Sequence, residues 1–121
     1  MSRTESLNRI LRALQTESPD VSAAALISDD GLLIASALPQ HLEEVRVGGM
    51  AATLQSLGAR ASHELSLGLP QQVLIRGAQG YAVMAKATDG TVLLVVATEN
   101  AKLGLLFLDM SRAIKEIAKI I

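Results

Sequence analysis

A chain of 121 residues with eleven basic and twelve acidic side chains dispersed along it, formal net charge -1, is of single-domain size and lacks the basic footprint of a nucleic-acid binder. The absence of cysteine excludes disulfides, thiolate metal sites and cysteine nucleophiles, and fits a reducing, cytoplasmic interior. Half of the residues are hydrophobic, yet Tyr81 and Phe107 are the only aromatics, so aliphatic side chains and alanine must fill the core.

Ser2 and Glu5 have the S-x-x-E spacing of a capping box, and Leu7, Ile10, Leu11 and Leu14 then recur at helical period. The spacing predicts a helix over 4–17, ended by the turn chemistry of Ser18-Pro19-Asp20. Two short apolar runs, Val21 to Ile27 and Leu32 to Ser36, flank Asp29-Asp30-Gly31. Asp and Gly tolerate the positive φ that tight hairpin turns demand, so these runs are predicted as paired strands.

A helical period runs from about His41 to Leu65. At 100° per residue Val47, Met50, Leu54, Leu57, Ala61 and Leu65 share one side, which is predicted to lie on the sheet. The other side holds Val45, Gly48, Gly49, Ala52, Ser56, Ala59 and His63, nearly all small. Two consecutive glycines in a helix cost roughly 1 kcal/mol each relative to alanine, and close approach of a second helix would offset that. These seven residues are therefore the expected self-association surface of a homodimer. Glu44, Gln55 and Ser62 point together between the two sides, and are expected to form an exposed polar rim for a partner protein.

Three further strands are predicted at Gln72 to Arg76, Gln79 to Lys86 and Thr91 to Thr98, separated by Gly77-Ala78 and Asp89-Gly90. Consecutive apolar residues from Val92 to Ala97 mark the last as a central strand covered on both faces. A final helix over about 101–119, capped by Thr98 or Asn100, carries one stripe of Leu103, Leu106, Phe107, Met110, Ile114, Ile117 and Ile121. Leu105 and Leu108 lie off that stripe and are expected to be half-buried against the first helix. No apolar stretch approaches the roughly 18 residues a membrane span needs. The order α-β-β-α-β-β-β-α predicts one α/β (α+β) domain over 1–121: a five-stranded antiparallel sheet with the terminal helices on one face and the long central helix on the other.

This order, with D-D-G-L-L-I-A-S at Asp29 to Ser36, a long helix of small residues, and T-E-N-A-K-L-G-L-L at Thr98 to Leu106, resembles the roadblock/LC7 family along essentially the whole chain. The resemblance implies a profilin-like fold and a homodimer in which the long helices lie side by side and the third strands join two sheets. It also implies a scaffold or regulator of a Ras-like small GTPase, the role of family members in dynein light chains, late-endosomal complexes and the bacterial gliding-motility regulator that promotes GTP hydrolysis.

The chain's own chemistry is sparse. His41 and His63 stand about six helical turns apart and cannot converge with a serine in one protomer. Asp29 and Asp30 have no third ligand at metal spacing, and neither Gly48-Gly49 nor Gly77-x-x-Gly80 forms a phosphate loop. Arg46, Arg60 and Arg76 are candidates for an arginine supplied to a GTPase in trans, but nothing in the sequence fixes any of them. The expectation is no catalytic residue, metal or cofactor, and no nucleic-acid or membrane partner. A structural adaptor without a GTPase client and a small-molecule sensor are the alternatives.

Overall fold

The computed structural model describes Met1–Ile121. Eight elements follow the predicted order: α1 (Arg3–Glu17), β1 (Val21–Ser28), β2 (Leu33–Ala37), α2 (Glu44–Glu64), β3 (Val73–Gly77), β4 (Gly80–Thr88), β5 (Thr91–Thr98) and α3 (Leu103–Ile120). Ser2 caps α1 as its spacing predicts, its hydroxyl accepting from the Glu5 amide at 3.1 Å. The final helix starts two residues later than expected, with Lys102 at its N-cap and no side-chain cap from Thr98 or Asn100. Thr98 instead ties the end of β5 to the start of β1: its amide donates to the Asp20 carbonyl at 2.8 Å and its hydroxyl to the Asp20 carboxylate at 3.1 Å.

The strands form one antiparallel sheet in the order β2-β1-β5-β4-β3. β5 is central, which explains its unbroken apolar sequence: Leu93, Val95 and Ala97 face α1 and α3, while Val92 and Leu94 face α2. The larger core lies on the α1/α3 side, where Leu7, Leu11, Leu14, Leu106, Met110 and Ile117 close over Leu26, Val83 and Leu93. Burying side chains of this size contributes roughly 1.5 to 3 kcal/mol each. The core under α2 is thinner, with Ala25, Ile27, Val47, Ala51, Met84, Val92 and Leu94.

The β1–β2 connection is the expected tight turn. Gly31 has φ +87°, its amide donates to the Ser28 carbonyl at 2.9 Å, and Ser28 receives the Leu32 amide on its hydroxyl at 3.1 Å. At the opposite corner Ser18 anchors α1 to α3, its hydroxyl donating to the Asp109 carboxylate at 2.5 Å. Leu105 and Leu108 depart from expectation: they are 57% and 46% exposed on the outward side of α3, since Leu106, Met110 and Ala113 already fill the space towards the sheet and α1. No helix is long and apolar enough to cross a membrane.

Candidate functional site

The surface that remains to be explained is the α2 side of the sheet and the β3 edge beside it. α2 reaches the sheet through its smallest side chains: Val47, Gly48, Ala51 and Ser62 are buried, and Gly58 rests on Val73. A Cβ on Gly48 would stand 2.2 Å from the Gly31 carbonyl oxygen, and one on Gly58 would stand 2.5 Å from Val73 Cγ2. The first helical turns of α2 therefore touch the β1–β2 turn backbone to backbone.

This contact overturns the predicted helix phase. The buried face lies about a quarter turn from the expected stripe, because the close approach at Gly48 and Gly58 draws small residues to the sheet; of the expected stripe, Val47 and Leu54 stay packed on it. Met50, Leu57 and Leu65, expected against the sheet, are 58%, 59% and 68% exposed. Gly48, expected at a seam between helices, packs instead on the sheet's own turn. Of the other residues assigned to self-association, Val45, Gly49, Ser56, Ala59 and His63 are exposed and Ala52 is half-buried.

The polar rim does not form either. Ser62 is buried, its hydroxyl donating to the Gly68 carbonyl at 2.6 Å to hold the loop after α2. Gln55 is half-buried against the sheet, with its Oε1 lacking a hydrogen-bond partner. Glu44 alone is exposed, and accepts from the Ser36 hydroxyl at 3.3 Å. The strip between the two sides of the helix was expected outside; the shifted phase turns it, with Gln55 and Ser62, inward.

Two flanks of α2 remain, and they differ. Ala52, Gln55, Ser56 and Ala59 look towards Lys86 and Val92, which pair at one end of β4 and β5, and towards Asp29 at the β1–β2 turn. Leu57 stands between the two flanks, in one depression with Asp29, Asp30, Gly49 and Ser56, whereas Met50, Leu54 and Ala61 occupy the opposite side of the helix, towards the other end of the same strands. There Ser22, Ile75, Ala82 and Val96 contribute to an open depression of about 560 Å³. β3 borders it. Only β4 pairs with β3, so its outer edge is free, and Leu74 and Ile75 are 44% and 43% exposed on its two faces.

Chemistry-bearing groups are scattered. Both histidines are exposed, and no three His, Asp or Glu side chains cluster. Arg46 pairs with Glu43 at 3.2 Å, Arg76 stacks over Tyr81 at 5.9 Å, and Arg60 lies beside the depression formed by Asp29, Asp30, Gly49 and Ser56. The three arginines do not converge on one point.

A family model described as Roadblock/LC7 domain matches residues 7–97. The chain belongs to the Roadblock/LC7 family. Among relatives of this Roadblock/LC7 chain, the uncharacterized protein MJ1340 of Methanocaldococcus jannaschii is 31% identical over 92% of the chain and 96% of its own length. The Roadblock/LC7 domain of Streptomyces avermitilis superposes with a TM-score of 0.87 at 24% identity, over 93% of this chain and 94% of that one. Myxococcus xanthus MglB superposes with a TM-score of 0.88 at 20% identity, over 99% of this chain and 90% of that one. At such identities the two likenesses establish a shared fold.

Proposed function

We propose that this Roadblock/LC7 chain is a homodimeric protein-binding module, without an active site of its own, that scaffolds or regulates a Ras-like small GTPase. The observation that carries the reading is the free β3 edge, apolar on both faces, beside the α2 flank with exposed Met50. An open apolar edge strand pairs readily with another chain. Family membership is compatible with both a regulatory and a scaffolding role.

The arrangement also suggests which flank serves which partner. α2 crosses β3 at its Val73 end, leaving Ile75 bare towards Gly77. A two-fold axis that pairs two β3 edges near Ile75 brings the second α2 over Ile75, Ala82 and Val96, against Met50, Leu54 and Ala61. The seam then uses the larger apolar side chains. The flank with Gly49, Ala52, Ser56 and Ala59, beside Asp29, Asp30 and Arg60, stays open on each copy and is assigned to the client.

Sedimentation velocity on the purified chain gives the first test, with a dimer expected at tens of micromolar, an order-of-magnitude figure for an interface of ordinary size. The second presents the immobilised chain with the Ras-like GTPases of its own organism, loaded with GDP or a non-hydrolysable GTP analogue. Nucleotide-dependent retention is expected; faster single-turnover GTP hydrolysis identifies an activator, and retention without acceleration a scaffold. Calorimetric titration of the chain alone with GTP should show no saturable binding. A monomer that retains no GTPase refutes the reading.

A further inference from the structure

The sheet has two edges, and they are treated differently. β3 lies bare beyond Val73, where α2 crosses it, whereas β2 packs against α1, with Ile34, Ala35 and Ala37 in the α1/α3 core. Nothing in the sequence of β2 protects it. Leu33-Ile34-Ala35-Ser36-Ala37 has no charged residue and no proline, the usual devices that blunt an edge strand against pairing. The protection comes from α1. The Ser36 amide, which points away from β1, donates to the Asn8 side-chain carbonyl at 3.0 Å, in a partly buried contact. The Ser36 hydroxyl is held from the other side by Glu44 at 3.3 Å.

Asn8 is an odd choice for its place. It sits in the second turn of α1, between the buried Leu7 and Leu11, where asparagine is a poor helix former because its amide competes for backbone groups. A residue that costs helix stability there, yet spends its one side-chain acceptor on a strand of another layer, has a role outside the helix.

We propose that Asn8 is an edge guard: by occupying the outward Ser36 amide it closes β2 to strand pairing and confines self-association to β3. The occupant it excludes is the β2 edge of another copy. An uncharged five-residue strand is complementary to itself about a two-fold axis, and β3 is already used in the dimer proposed above. The inference rests on that reading only for what assembles; the closure of β2 stands on the hydrogen bond itself.

The test compares the full chain with Asn8→Leu, which keeps the bulk and removes the acceptor, and with Asn8→Asp, which keeps an acceptor oxygen. In folded protein, judged by circular dichroism, exchange of the Ser36 amide proton should speed up about tenfold in Asn8→Leu and stay near wild type in Asn8→Asp. Sedimentation of Asn8→Leu should show species that grow with concentration, as dimers joined through β3 link again through β2. Adding Leu74→Lys and Ile75→Lys, which closes β3 with charge, should cut that growth back to a single two-chain species. Asn8→Ser, too short to reach Ser36, replaces the leucine variant should that one not fold. Unchanged Ser36 exchange in a folded variant lacking the acceptor overturns the guard, and so does an unchanged size distribution. A wild-type monomer whose leucine variant forms only dimers overturns the β3 dimer and leaves the guard in place.

Discussion

Gly48 and Gly49 are neighbours in one helix and should respond to the same substitution with opposite sign. Alanine at either position removes a helix penalty of about 1 kcal/mol. At Gly49 a Cβ meets nothing within 4 Å, so Gly49→Ala should stabilise the chain by up to about 1 kcal/mol. At Gly48 the new Cβ would sit 2.2 Å from the Gly31 carbonyl oxygen and 3.0 Å from Leu33 Cδ1. The first obstacle is backbone, so no rotamer change relieves it, and α2 or the β1–β2 turn must shift by about 1 Å. Overpacking of this kind costs about 1 to 3 kcal/mol, and with an immovable obstacle the upper half of the range applies. Net of the helix gain, Gly48→Ala should lose about 1 to 2 kcal/mol. The two variants then differ by about 2 to 3 kcal/mol, or roughly 8 to 12 °C in Tm for a chain of this size. Urea and thermal unfolding followed by circular dichroism, at matched protein concentration so that self-association is held constant, measure the gap. A Gly48→Ala variant as stable as Gly49→Ala would refute the contact between α2 and the turn, and restore both glycines to a seam between helices.

Leu93, fully buried at the centre of the sheet, should cost about 2 to 5 kcal/mol when truncated to alanine, read from the urea midpoint. Ser18→Ala removes a hydrogen bond to the Asp109 carboxylate and should cost about 1.5 to 3 kcal/mol; an unchanged midpoint would mean the bond is replaced by water. Leu74→Lys with Ile75→Lys should convert the expected dimer to a folded monomer in sedimentation, because both side chains are largely exposed in one copy. Lys119→Ala should change stability by less than about 0.5 kcal/mol, since its 3.1 Å pair with Glu116 is 72% exposed on the lysine side.

Local signals carried much of the architecture. The capping box, the Asp-Asp-Gly turn and the unbroken Val92–Ala97 run each follow from short-range chemistry, and each element appears in the expected order. The phase of α2 was not legible. Amphipathic reading assumes that the largest apolar side chains go inside, and that holds for α3, where Leu106, Met110 and Ile117 are buried. α2 reverses it: contact with Gly31 and Val73 admits only small residues, and Met50 and Leu57 are left outside. Gly48 and Gly58 carried the signal, but they stand about 2.8 helical turns apart and so about 80° from one another around the helix, and small residues alone do not say whether a sheet or a second helix lies against them. Asn8 was invisible for a different reason, since its partner Ser36 is 28 residues away and belongs to another layer.

The central place of β5 also bears on how the chain is made. β1, with Ala23 to Ile27 almost wholly buried in the finished sheet, leaves the ribosome some 70 residues before β5 is complete. At about 5 to 20 residues per second that interval lasts about 4 to 14 s, during which β1 has only β2 beside it. The nascent β1–β2 hairpin carries no charge between Val21 and Ser28, and offers an apolar strand with one unsatisfied edge to any chaperone or neighbouring polysome. Synthesis of this small protein therefore passes through a sticky intermediate that only its last quarter can bury.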